Sequence, residues 1–470
     1  MPKVMKKQTT DTPFLRKAIP ITLSVWLLSL TIYYCFNVSW LSHFSSVQPG
    51  TKQLIVETLK FHWVPVFLSQ LPYVFYALIL NFIAILIGNR ILRYLKVDFD
   101  SNISKIIFSI PLGWSIYSIG IFYLGVSKLL YKEAIYCFIM LLGVLSILEI
   151  KRFFREWKAL TIISRYKIDK TDLICLPLII IFITLQLVMS FSPVWTIDSM
   201  VYHMALPKLH IKQHTLVHVP GFLYGTLPAH TGMLYLLGLI TSSEILSKLF
   251  SLSISLMFLI STFSIGNRYF SREVGYLAAI ITMLSIPLFP CYFSQPFADA
   301  SFGLFSLLGI YAFFMWIEEK KDGSLYLSIF CCASAAATKI QGLFFVLLFF
   351  AGFLVYASGR LKMNRQFRAK DGANLRILRK LAWFILVVGI IALPWYVRSW
   401  WLTGDPVFPF LYDYLGASAS GEWNKYSNMC LWEFYSGHGF KGARSFSDII
   451  RIAKALFFTG NINNSFSPII

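Results

Sequence analysis

The sequence predicts an all-α polytopic membrane protein with about eleven to twelve transmembrane helices. Apolar residues make up 57% of the 470 and charged residues only 14%, whereas a soluble chain carries roughly a quarter charged residues. Mean hydropathy is +0.66. Apolar runs long enough to cross roughly 30 Å of hydrocarbon recur along the whole chain.

The first run, 18–37, is too long for a removable signal peptide and lacks a small-residue cleavage site, so it is expected to stay as an anchor. Runs at 64–92, 104–126 and 134–150 complete an N-terminal four-span region, 1–171. A core region, 172–400, then carries spans at 172–192, 245–266, 274–290, 298–317, 324–338, 341–357 and 381–400. A weaker apolar patch at 448–459, inside 448–470, would begin a further span.

Two connecting segments are large. In 193–244, Met200, Val201, Met204 and Leu209 alternate at helical spacing with His203, His210 and His214, and Pro207 interrupts them. That pattern suits a pair of short helices lying in the interface plane. The segment 401–447 is rich in Trp, Tyr, Gly and Asp and has no run of span length, so it reads as a folded loop.

Charge sets the orientation. With eleven spans and a cytoplasmic N-terminus, most of the 42 Lys and Arg fall on the inside: in the first 17 residues, at Arg90, Arg93, Lys96 and Lys105, in 151–170, at Arg268, Arg272, Lys320 and Lys321, and in 360–380. The positive-inside rule selects this arrangement. The net charge of +20 is then explained by basic loops beside anionic headgroups. The basic residues are dispersed and no reader motif accompanies them, so nucleic acid is not an expected partner. The seven Cys lie mostly within apolar runs and show neither a disulfide framework nor metal-ligand spacing.

The same topology places all eight His, and Asp198, Asp299, Asp405, Asp413, Glu422 and Glu433, on the outward side. Groups able to do acid–base chemistry therefore collect outside the cytoplasm. Two stretches stand out: Trp195-Thr-Ile-Asp198-Ser-Met-Val-Tyr202-His203-Met-Ala-Leu-Pro207-Lys208 and Ser294-Gln-Pro-Phe-Ala-Asp299. Each sets a carboxylate just outside a long apolar helix, where it is costly unless it has a partner or a task. Helix N-capping is the plain alternative for both. His203 can shuttle a proton or steady a phosphate, and Lys208, Lys339 and Arg398 can meet an anion or simply snorkel. His210, His214 and His218 are four apart but have no neighbouring Cys or acidic ligand, which argues against zinc. There is no P-loop, nucleophile elbow, Rossmann fingerprint or His-Glu-x-x-His, so a nucleotide-driven pump or a nucleotide-sugar enzyme is not expected.

These segments resemble the C-type integral-membrane glycosyltransferases (GT-C), and within them the bacterial members of the dolichyl-phosphate-mannose mannosyltransferase type. The likeness is carried by Asp198-Ser-Met-Val-Tyr-His-Met-Ala-Leu-Pro-Lys, Pro228 and Met233-Leu-Tyr-Leu-Leu-Gly. It continues in Phe297-Ala-Asp299, Ala336-Ala-Thr-Lys339-Ile-Gln-Gly and Pro394-Trp-Tyr-Val-Arg398 with Thr-Gly-Asp-Pro-Val-Phe-Pro, and covers roughly 172–470. There are departures. Ser199 follows Asp198 where many members have a second acidic residue, extra spans precede the motif, and the family usually continues beyond the point where this chain ends.

The resemblance implies inverting transfer of a sugar from a polyprenyl-phosphate-linked donor to a hydroxyl of a glycan, lipid or protein acceptor. The reaction would take place on the periplasmic or exterior face of a bacterial inner or plasma membrane. It implies Asp198 and Asp299 as catalytic residues, with His203, Lys208, Lys339 and Arg398 toward the substrate. A divalent cation, Mg or Mn, is compatible with it, but no metal ligand set is predicted. A polysaccharide polymerase or ligase would concentrate Arg and His in a late loop, yet 401–447 holds only Arg444 and His438. A lipid or glycan transporter would show repeats or broken helices at the midplane.

Overall fold

The computed structural model describes residues 63–99, 101–159, 169–284, 294–366, 373–415 and 423–435. The expected spans 18–37 and 448–459 lie outside them, and so does the part of 274–290 beyond Leu284. The described residues form helices and connecting turns.

Among the described residues six helices are long and apolar enough to cross a membrane, or seven where the bent pair below is one span, against the eleven to twelve expected. The chain is a multi-pass, all-helical membrane protein. The long helices are α1 (Trp63–Tyr94), α2 (Asn102–Val126), α3 (Lys132–Ala159), α4 (Lys170–Ser190), α7 (Glu244–Tyr269) and α9 (Asp299–Glu319). Between α4 and α7 run a π-helical turn, Ser199–Ala205, then α5 (Leu206–Lys212) and α6 (His230–Thr241). α8 is Arg272–Leu284, α10 Asp322–Thr338 and α11 Gly342–Gln366. α12 (Ala373–Ile391) and α13 (Leu393–Thr403) meet at 51°. Two short helices follow, α14 (Tyr412–Leu415) and α15 (Lys425–Tyr435).

Local chemistry sets these boundaries. Ser101 caps α2 by accepting from Ser104 N at 3.1 Å. Asp169 and Asp172 form a reciprocal box at the start of α4, with bonds of 2.8 and 3.0 Å, which satisfies two otherwise orphaned N–H groups. The expected single span 381–400 is broken. Pro394 in the first turn of α13 cannot donate to the preceding turn, so the chain bends there.

Burial sorts the helices into two shells. α2, α7 and α9 are 72%, 61% and 61% buried over their apolar windows, against 28%, 22% and 17% for α1, α3 and α4. The outer helices present Leu141, Val144, Leu148, Leu173, Ile180 and Leu185 outward, the face that lipid would cover. α1 and α2 approach most closely where Gly88 faces the Ser109 backbone and Gly113 faces Ala84. A Cβ at either would sit 1.8 or 2.2 Å from a carbonyl oxygen, so small residues permit this crossing.

Lys248 is fully buried in α7 although no sequence signal marked it. Its ammonium donates to Met189 O at 2.8 Å, Ser192 O at 2.5 Å and Ser192 Oγ at 3.1 Å. It therefore caps the C-terminus of α4, where a cation meets unsatisfied carbonyls and the negative end of the helix dipole. Through it the segment that follows α4, leading to Asp198, is anchored to the inner shell.

Candidate active site

The two sequence segments singled out above lie against each other. Ser199 Oγ donates to Pro296 O at 2.9 Å. With its amide oxygen turned toward donors, Gln295 accepts from Trp195 Nε1 at 3.3 Å and from Lys248 Nζ at 3.1 Å. Tyr235 of α6 fixes the same strand of backbone, donating its hydroxyl to Phe297 O at 2.5 Å. Ser294, Gln295, Pro296 and Phe297 are all buried. The turn that delivers Asp299 is thus held by α6, α7 and the π-helical turn together.

Neither carboxylate is used as a helix cap. Asp198 precedes the π-helical turn with helical dihedrals and makes no side-chain cap bond, and α9 begins after Ala298, also without one. Asp299 instead accepts from Lys339 Nζ at 2.6 Å. Lys339 follows the last residue of α10, and its own N–H bonds Ala335 O at 3.1 Å. Gly342 lets α11 start directly against α10, since a Cβ there would meet the Ala335 carbonyl at 2.4 Å. That tight turn aims Lys339 back across the site.

Tyr202 was not singled out in the sequence, although Asp198 and Tyr202 have the i, i+4 spacing that brings helical side chains together. Burial, then the charge and hydrogen bond of Asp198, with Tyr224 and Asp299 adding to them, hold its phenol far above the ordinary tyrosine value. Tyr202 therefore feels both carboxylates and stays a donor. Its ring stacks on Tyr224, with centroids 4.1 Å apart and planes 3° from parallel. His203 is buried against Tyr235 and Phe297, edge to face at 5.9 Å from each. Burial, reinforced by the Lys339 charge, pushes it well below the usual histidine range, so it is neutral.

A cavity of about 340 Å³ opens beside these groups. Tyr202, His203, His210, Tyr224 and Lys339 supply its polar wall, while Leu206, Leu227, Pro228 and Met233 make the rest apolar. Phe410 reaches it from the second large segment. There Asp405 accepts from Val407 N at 2.8 Å and Leu411 N at 3.0 Å, folding the turn that carries Phe410. Pro207 lies in the first turn of α5, where its missing N–H costs little, so it starts a helix rather than interrupting one.

The remaining sequence-predicted residues are used differently. Lys208 is exposed and forms a short ion pair with exposed Glu244, away from the cavity wall. Arg398 donates to Gly225 O at 2.8 Å, Val217 O at 3.2 Å and Leu216 O at 3.4 Å. Its guanidinium thus braces the loop that precedes α6, at one remove from the pocket. His210 Nδ1 accepts from Val217 N at 3.0 Å, and His214 stacks on Tyr131 at 3.9 Å. Among the described residues no three His, Cys, Asp or Glu side chains gather as a metal ligand set.

Comparison with protein-family models, with characterised proteins and with solved structures finds no match. The functional reading rests on the residues themselves.

Proposed function

We propose that the protein is an inverting membrane glycosyltransferase of the GT-C kind, moving a sugar from a polyprenyl-phosphate-linked donor to an acceptor hydroxyl on the extracytoplasmic face. The observation that carries the reading is the Lys339–Asp299 pair beside an aromatic and apolar cavity, with a second carboxylate, Asp198, on the adjoining turn.

The division of labour follows from what each carboxylate is already doing. Asp299 Oδ1 is committed to Lys339, whereas Asp198 has only the Tyr202 phenol among its interactions with described residues, leaving lone pairs for an incoming proton. In transfer, the acceptor oxygen attacks the anomeric carbon from the face opposite the phosphate. Asp198 takes the hydroxyl proton as the C–O bond forms. The bond from the anomeric carbon to the phosphate oxygen breaks with its electron pair, and the phosphodiester anion leaves as a monoester carrying one more negative charge. Lys339 is placed to offset that charge, and Asp299 orients the ammonium. The Tyr202–Tyr224 stack offers a flat wall for the apolar face of a sugar ring, and neutral His203 can donate one hydrogen bond to it.

On this reading Arg398, which braces the loop before α6, and Lys208, exposed and paired with Glu244, act in the scaffold around the site. The test is release of polyprenyl phosphate from a polyprenyl-phosphate hexose by the purified protein in vesicles. Turnover that Asp198→Asn abolishes supports the proposal, and turnover unchanged by Asp198→Asn removes its base.

A further inference from the structure

The cavity beside Lys339 carries hydrogen-bonding groups at two separate places along one helical segment. His203 and His210 both line it. They lie on the π-helical turn Ser199–Ala205 and on α5, which follows it without a break. Seven residues along such a segment put the two rings on one face, about 10 Å apart along the axis at roughly 1.5 Å per residue. Leu206 and Pro207 fill the wall between them.

The two ends differ in charge. The Lys339 charge acts on His203. The charge acting on His210 is that of Arg398, whose guanidinium is turned toward backbone carbonyls. Among the described residues Lys339 is the one charged side chain on the cavity wall, and Asp299 is its partner. The His210 end therefore has no charge free for a ligand.

One donor is built at that end. His210 Nδ1 accepts from Val217 N at 3.0 Å. A backbone N–H can only donate, so the proton of the neutral ring sits on Nε2. Arg398 holds Val217 from its other side, donating to the carbonyl at 3.2 Å, so tautomer and ring orientation are fixed before a ligand arrives. His210 is 5% exposed. Its Nε2 makes no hydrogen bond to a described residue and is open to the cavity rather than sealed in protein. Such a donor in an apolar wall fixes the orientation of a ligand oxygen.

We propose that the acceptor is an uncharged saccharide of at least two rings, with the ring that receives the sugar at the His203 end and the next ring accepting a hydrogen bond from His210. The proposal rests on the sugar-transfer reading. Other acceptors fit the wall less well. A polyprenyl or acyl chain has no oxygen for His210, and a charged headgroup would meet no free counter-charge there. A second sugar ring offers a hydroxyl to Nε2 and an apolar face to Leu206, Leu227 and Met233.

The test uses the purified protein in vesicles containing a polyprenyl-phosphate hexose. Methyl glycosides of glucose, mannose, galactose and N-acetylglucosamine, and the corresponding methyl disaccharides, are supplied as acceptors to wild type, His210→Asn and His210→Gln. Asn keeps an acceptor for Val217 N but lacks the remote donor, whereas Gln reaches the donor position and loses the acceptor. In wild type at least one disaccharide is expected to have a KM at least about tenfold below that of its single ring, with similar kcat. His210→Asn should raise the disaccharide KM by about the same factor and the single-ring KM much less. His210→Gln should recover part of the advantage at a lower melting temperature. If no disaccharide surpasses its single ring, or the advantage survives His210→Asn, the proposal is overturned. Should His210→Asn fail to fold, the wild-type comparison of one ring with two decides. Failure to release polyprenyl phosphate with any acceptor, or to water, would instead refute the sugar-transfer reading itself.

Discussion

Lys339 Nζ lies 2.6 Å from Asp299 Oδ1, joining the end of α10 to the start of α9 beside the cavity. The Lys339 side chain is 14% exposed and that of Asp299 40%, so the pair is partly shielded and its two members depend on each other. Lys339→Gln is expected to lower donor-dependent transfer at least about tenfold, about 1.4 kcal/mol of transition-state stabilisation. Asp299→Asn should also impair turnover by loosening the ammonium, and the double variant should be little worse than Lys339→Gln. Lys339→Arg should rescue only in part, because a planar fork does not replace a compact ammonium. Steady-state rates and melting temperatures measured together would check this. Losses that simply add would show that the two residues act separately.

Arg398 makes a different prediction because three backbone carbonyls share its guanidinium. Arg398→Gln leaves acceptors without donors and should cost about 1–3 kcal/mol of stability. Arg398→Lys should restore little, since one ammonium cannot span the acceptors of the fork. Thermal unfolding in detergent is the measurement. An Arg398→Gln protein with wild-type stability and reduced donor affinity would return this residue to the substrate.

The buried histidines give a pH dependence whose sign is fixed. Burial first, then the Lys339 charge for His203 and the Arg398 charge for His210, lowers both below the ordinary value of 6.5. The unfolded chain therefore binds more protons than the folded one once pH falls below about 6.5, and stability drops in that direction. It is fully present above that value. Each histidine contributes up to about 1.4 kcal/mol per pH unit within the window. Melting temperature against pH should fall on the acid side of 6.5, and less steeply in His210→Gln. A flat profile from pH 7 to pH 5 would show that both rings reach solvent.

The spans were legible because a run of about twenty predominantly apolar residues leaves little alternative to a membrane helix. Runs read at 64–92, 104–126 and 298–317 match Trp63–Tyr94, Asn102–Val126 and Asp299–Glu319 within a few residues, whereas 324–338 forms Asp322–Thr338, a helix of 17 residues that falls short of the spanning set. Asp198, Asp299, His203 and Lys339 stood out as polar groups at the ends of such runs; His203 and Lys339 share one cavity wall, Asp299 pairs with Lys339, and Asp198 sits beside Tyr202 on the adjoining turn. What was not legible depends on contacts distant in sequence. Nothing local says that Lys248 caps α4, that Arg398 is spent on carbonyls 173 to 182 residues away, or that Ser199 stitches to Pro296. The break between α12 and α13 was written in Pro394, but the apolar run around it masked the signal. Tyr202 was hidden for the opposite reason, since an aromatic residue beside an interfacial helix is ordinary.

Surface glycans and glycolipids compared by mass spectrometry test sugar transfer most directly, using cells with the wild-type protein, cells without it, and cells carrying Asp198→Asn at equal membrane abundance. The account predicts one discrete sugar increment in wild type that is missing from both other strains, because Asn keeps the shape of Asp198 but cannot take the acceptor's proton. An increment that persists with Asp198→Asn, or glycans identical with and without the protein, would contradict it.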